Sequence, residues 1–140
     1  MGIILCATRG GEESEKTQIA AIELARERGD TLVYLYVADP SFLNRIAAPV
    51  VVDIERELER MGRFQLALAC EQAAAQGVEA QAVVRHGHLQ VELIAAAREL
   101  GATLVVLGRP RGEASVFDEE ALLSFAARVR AETGAVVRVA

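Results

Sequence analysis

Lys16 is the only lysine among 15 basic residues in this 140-residue chain, and several of the arginines stand where they could do chemistry. Gly108-Arg109-Pro110-Arg111-Gly112 follows the apolar run Thr103 to Leu107, and Arg9 follows the apolar run Ile3 to Thr8. A guanidinium presents a planar fork of N–H donors that fits carboxylate or phosphate oxygens two at a time. If the run before Gly108 is a buried parallel strand leading through a turn into a helix, that turn is where an α/β protein binds an anion. Arg85, His86 and His88 form a further cationic or protonatable group at the end of another strand-like stretch.

Other chemistries are weaker in the same residues. The arginines could instead pair with Glu12, Glu13, Glu113, Asp118 or Glu119 and merely close their loops. His86-Gly87-His88 offers two imidazoles, but no cysteine or further histidine lies nearby in sequence to complete a zinc site. There is no Gly-x-Ser-x-Gly elbow, and Cys6 falls in mid-strand, so no nucleophile is expected and no enzymatic activity. A phosphoacceptor receiver domain would need acidic residues for magnesium. Here the first strand ends in Thr8-Arg9 and the third in Arg85-His86.

These groups need a scaffold, and the bulk numbers bound it. A length of 140 residues with 52% hydrophobic content suits one domain spanning 1–140 with a full core. A net charge of −5 argues against a nucleic-acid or anionic-membrane binder, since both need a basic face. Cys6 and Cys70 read as reduced thiols in apolar runs, and the start of the chain lacks a basic leader or a long apolar segment. A cytoplasmic location is the expectation.

The hydrophobic pattern alternates between strand and helix. Residues 3 to 8 read as a buried first strand closed by Arg9-Gly10-Gly11, and Ile19/Ile22 with Ala20/Leu24 give a helix ending at Gly29-Asp30. Thr31 to Val37 is a second strand, rich in β-branched and aromatic residues. Ser41 to Pro49 reads as a packed loop. A long second helix runs from about Val50 to Gly77, its stripe being Val51, Ile54, Leu58, Met61, Leu66, Ala69, Cys70 and Ala73.

Glu79 to Arg85 alternates as an edge strand, with Ala80, Ala82 and Val84 on one face. Leu89, Leu93, Ala97 and Leu100 mark a third helix. Ser115 and Asp118 resemble a capping box for a fourth, lined by Leu122, Phe125, Ala126 and Val129. Ala135 to Ala140 closes the chain as a fifth strand. Strands joined by helical crossovers imply an α/β fold, a parallel sheet with helices on both faces. Val136, Val137 and Val139 would leave an apolar edge exposed in a monomer, with Arg138 limiting uncontrolled stacking.

In order and spacing, Ile4-Leu5-Cys6-Ala7-Thr8-Arg9-Gly10-Gly11, Tyr34-Leu35-Tyr36-Val37-Ala38-Asp39, Val83-Val84-Arg85-His86-Gly87 and Ala102 to Gly108 resemble the universal stress protein family. The resemblance implies a Rossmann-like three-layer sandwich, its five-stranded sheet ordered 3-2-1-4-5, and a homodimer formed through the fifth strands at Val136, Val137, Arg138 and Val139. It implies ligand contacts at Val37, Gly87 and Gly108, and places Arg9 where ATP-binding members carry an aspartate. Their phosphate loop reads Gly-x2-Gly-x9-Gly-Ser/Thr. Here Gly108 fits the first glycine, Arg111 replaces the second, and Gly112 comes one residue late.

The closing pair falls near Leu122-Leu123-Ser124. Side chains at those positions push backbone away from phosphate, and Asp118, Glu119 and Glu120 would repel it. The expectation is therefore a degenerate nucleotide site with no cofactor held in the usual way, in a module acting through protein contacts. The alternative is a site in which Arg9, Arg109 and Arg111 hold ATP, AMP or another anion.

Overall fold

The structure is a computed structural model that describes residues 2–8, 12–38, 51–108 and 119–140. Its elements alternate as β1 (Ile3–Ala7), α1 (Glu12–Arg28), β2 (Thr31–Ala38), α2 (Val51–Ala75), β3 (Ala80–His86), α3 (Leu89–Leu100), β4 (Leu104–Leu107), α4 (Glu119–Thr133) and β5 (Val136–Val139). The five strands form one parallel sheet in the order β3-β2-β1-β4-β5. Both the alternation and the order match the expectation.

The strand period of two divides each strand between two cores. Ile4, Cys6, Leu32, Tyr34, Leu104 and Val106 pack beneath Ala21, Ile22 and Ala25 of α1 and Leu66, Ala69 and Ala73 of α2. Leu5, Val33, Leu35, Val105 and Leu107 pack beneath Leu93, Ile94 and Ala97 of α3 and Leu122, Phe125 and Val129 of α4. Because β1 and β4 are covered on both faces, their sequences are continuous apolar runs. The edge strand β3 is only half-buried, with no residue fully buried along it.

The hydrophobic pattern needs correction in three places, two on helices and one on a strand. Met61 stands exposed because the side of α2 that meets the sheet is Gly62, Leu66, Ala69 and Ala73, and Ile19 because that of α1 is Gln18, Ala21, Ile22 and Ala25. Ala82 is exposed as well, although Ala80 and Val84 on its face pack against the core. The loop from Ser41 to Pro49 and the capping pair Ser115 and Asp118 lie outside the described residues.

Tyr34 is the largest fully buried side chain, and its hydroxyl has no hydrogen-bond partner among the described residues. A buried donor left unpaired costs roughly 1–3 kcal/mol in lost hydration. Tyr34→Phe keeps the ring and removes the unpaired group, so it is expected to raise stability by about 1 kcal/mol. Urea unfolding checks it: the midpoint should rise with an unchanged slope, and a fall would show that the hydroxyl contributes a favourable contact.

Candidate functional site

The strand order reverses between β1 and β4, so the crevice opens beyond the carboxyl ends of these two strands. Thr8 closes β1, its backbone N–H donating to the Leu35 carbonyl at 2.9 Å. Gly108 follows β4. The α1 helix crosses both, and its first half brings two buried polar side chains, Thr17 and Gln18, to this end of the sheet. Gln18 Nε2 donates to the Thr8 hydroxyl at 2.8 Å in the buried interior.

Gly108 is held by close approach. A Cβ there would lie 2.9 Å from Thr17 Oγ1, so the chain leaves β4 flush against α1 only because no side chain intervenes. Thr8, Thr17 and Gln18 were not singled out from sequence. The signal was present: Thr17 and Gln18 lie in helical phase with the buried Ala21, Ile22 and Ala25, so they are polar residues on the inner face of an otherwise apolar stripe.

Val37 and Gly87 lie at the same end of the sheet, beyond β1 on the β3 side. Val37 pairs in register with Arg85, and the Gly87 N–H donates to the Ala38 carbonyl at 3.1 Å. Gly87 has φ of 134°, which side chains rarely adopt, and a Cβ would meet Glu92 Cγ at 3.1 Å. Val37, Gly87 and Gly108 thus lie at the carboxyl end of the sheet, at the ends of β2, β3 and β4. Arg9, Arg109, Arg111 and Gly112 lie outside the described residues.

The cationic rim at the end of β3 is different from the expectation. Arg85 and His86 project to opposite faces of the sheet, as neighbouring strand residues must. Arg85 turns towards α3, donating from Nε to Glu92 at 3.0 Å and from Nη1 to Glu99 at 2.7 Å. Its guanidinium is held above the usual range by the hydrogen bonds to Glu99 and then Glu92. His86 lies on the α2 face, with Nε2 3.7 Å from Glu59 Oε2. The Glu59 carboxyl is lowered first by its hydrogen bond from Arg63. Arg85 is a strap between β3 and α3, already neutralised by two carboxylates, and it does not face the crevice with His86.

Among the described residues, no group of three or more His, Cys, Asp or Glu side chains could hold a metal ion. No helix is long and apolar enough to cross a membrane among the described residues. Cys6 and Cys70 are both free thiols.

A sheet ordered 3-2-1-4-5 with its crevice at the β1/β4 switch point hosts several families, and sequence comparison discriminates among them. Residues 1–129 match the model of the universal stress protein family. The chain belongs to the universal stress protein family. Universal stress protein YxiE from Bacillus subtilis is 29% identical over 113 residues, covering 75% of this chain and 76% of YxiE.

The crystal structure of a universal stress protein family member from Burkholderia pseudomallei is 27% identical, covers 99% of this chain and 95% of its own, and superimposes with a TM-score of 0.70. The universal stress protein from Archaeoglobus fulgidus in complex with dAMP shares the fold at 17% identity, covering 99% of this chain and 96% of its own with a TM-score of 0.63. Universal stress protein structures in complex with cAMP and with AMP share it too.

Proposed function

We propose that this universal stress protein is a cytoplasmic homodimer of the stress response that acts through protein contacts, without catalysis, and whose nucleotide loop no longer cradles ATP. The observation that carries this reading is Leu122. The family's loop closes near Leu122-Leu123-Ser124, but in this chain those residues already belong to α4, and Leu122 is 3% exposed within the core. A leucine buried there supplies no hydroxyl to a phosphate, and its side chain takes up the space in which glycine would let the backbone approach. Glu120, exposed in the first turn of the same helix, adds negative charge where phosphates would approach.

The absence of catalysis is supported by Cys6, whose thiol is pushed up to about 12 by burial and so is no nucleophile at neutral pH. Reduced Cys6 and Cys70 suit the cytoplasm. A second reading is favoured by the flush approach of Gly108 to Thr17 and by the dAMP, cAMP and AMP complexes of the relatives. In it, the crevice takes a small nucleotide or another anion through Arg9, Arg109 and Arg111.

Calorimetry separates the two. No saturable heat is expected when ATP with Mg²⁺ is titrated into the micromolar protein; micromolar binding that is lost in Arg109→Ala would overturn the first reading and establish the second.

The homodimer is proposed through β5, as in the family. The N–H groups of Val136 and Ala140 donate inward to Thr103 and Leu107 of the neighbouring segment. By strand alternation, those of Val137 and Val139 point outward along an open edge. Val137→Pro removes an outward donor and leaves the inward ladder intact. It is expected to convert the dimer to a monomer in sedimentation, and an unchanged mass would place the contact elsewhere.

A further inference from the structure

The α2 helix carries two apolar faces. One, formed by Gly62, Leu66, Ala69 and Ala73, is buried on the sheet. On the opposite side Met61, Phe64 and Leu68 stand 57%, 63% and 43% exposed. Their spacing of three and four residues puts them in one stripe along the helix. A run of large apolar side chains on the outer face of a helix usually marks a contact surface.

We propose that this stripe is a self-association surface on which α2 of a second copy packs antiparallel across a two-fold axis. The charges beside the stripe select that occupant. Arg60 lies four residues before Phe64, and Glu71 lies three residues after Leu68, both exposed and on the same flank of the helix. In an antiparallel pair centred between Phe64 and Leu68, Phe64 of each copy packs beside Leu68 of the other. Arg60 of each copy then meets Glu71 of the other, twice by symmetry. A parallel two-fold pairing would carry the second copy's Arg60 and Glu71 to the opposite flank of the stripe, where neither charge finds a partner.

Among the described residues Arg60 pairs within its own helix with Glu57, at 3.4 Å, both well exposed, so its guanidinium can be shared with a second copy. The α2 helix lies over β2 and β3, away from the β5 edge, so this contact does not compete with pairing through β5. A single helix face falls short of the roughly 800 Å² per partner of a stable interface, so the association is weak and concentration-dependent.

Sedimentation velocity of the full chain over about 10 to 500 μM tests this, the range in which a weak interface of this size is populated. The average mass is expected to keep growing with concentration, and Phe64→Glu, at an exposed position, is expected to stop that growth with an unchanged far-ultraviolet spectrum. Arg60→Glu and Glu71→Arg are each expected to weaken association about tenfold through repulsion at both symmetric contacts. Mixed together, the two charge variants are expected to regain it. In the mixed pair the carboxylate introduced in one copy faces the guanidinium introduced in the other, while the remaining native Arg60 and Glu71 face each other across the second contact.

Unchanged growth in Phe64→Glu, or a mixture that associates no better than its components, overturns the proposal. Neither outcome depends on whether β5 pairs.

Discussion

Gly62→Val is expected to destabilise the protein by about 3 kcal/mol, the upper part of the range for overpacking a well-filled core. Gly62 sits in mid-helix, where glycine is ordinarily a liability of about 1 kcal/mol relative to alanine. Here the ring of Tyr36 occupies the space beside the helix backbone that a side chain would need. A Cβ on residue 62 would come 2.4 Å from Cδ1 and 2.6 Å from Cε1 of that ring, closer than real contacts allow. Tyr36 is anchored in β2, in register with Val84 of β3 on the same face, so it yields only by tilting off the core.

The gain in helix propensity is therefore smaller than the steric cost. The expected signature is a lower urea midpoint, together with rescue: Tyr36→Ala should remove most of the penalty of Gly62→Val, a coupling above about 1 kcal/mol in the double-mutant cycle. If Gly62→Val is as stable as the parent chain, or if the two changes simply add, the close packing of α2 on Tyr36 is not what this glycine provides.

The fold was legible because two different periods leave different marks. Ile3 to Ala7 and Leu104 to Leu107 are apolar without interruption because helices cover both faces of β1 and β4, and Glu79 to Arg85 alternates because β3 lies at the edge. What misled was α2, apolar on two sides. Met61 fits a stripe that starts near Val50, but a stripe on the outer face has the same period as one on the inner face. Only the close-packing residues Gly62, Ala69 and Ala73 say which side meets the sheet. Small residues carry little weight in a hydrophobicity pattern and much in a packed interface.

The site was legible in part. Val37, Gly87 and Gly108 could be placed because each ends or follows a strand, and strand ends are fixed by the topology. Arg85 could not, because its direction depends on partners that sequence separates. Glu92 and Glu99 lie on α3, about two helical turns apart, and reach Arg85 only because α3, packed over β1 and β2, covers the face of the sheet from which Arg85 projects. Thr17 and Gln18 are the converse case. They are polar residues whose helical phase alone marks them as interior, and hydrophobic stripes pass over them.

Raising the pH from 9 towards 12 is expected to remove up to about 4 kcal/mol of stability through one thiol, Cys6, since three pH units at about 1.36 kcal/mol each give that figure. Cys6 is fully buried in β1 beneath α1 and α2, and burial raises its thiol from 9.0 to about 12. Tyr34, its register partner on β2, is raised too, chiefly by desolvation and then by Cys6 and Cys70. In each case folding favours the protonated form. The unfolded chain therefore loses its protons first, and the native state binds more of them in this range. Stability is accordingly complete below about pH 9 and falls as pH rises through the folded values.

Urea midpoints at about pH 8, 9.5 and 10.5 read the slope, with roughly 2 kcal/mol lost by the last if Cys6 dominates. Cys6→Ala is expected to start lower, because it leaves a gap in the core, but to show a flatter decline between pH 9 and 10. Tyr34→Phe should keep the Cys6 slope there and differ only above pH 10. Equal slopes in the parent and Cys6→Ala would mean that the thiol reaches water before the fold opens, and that the two-sided cover over β1 is looser than its packing implies.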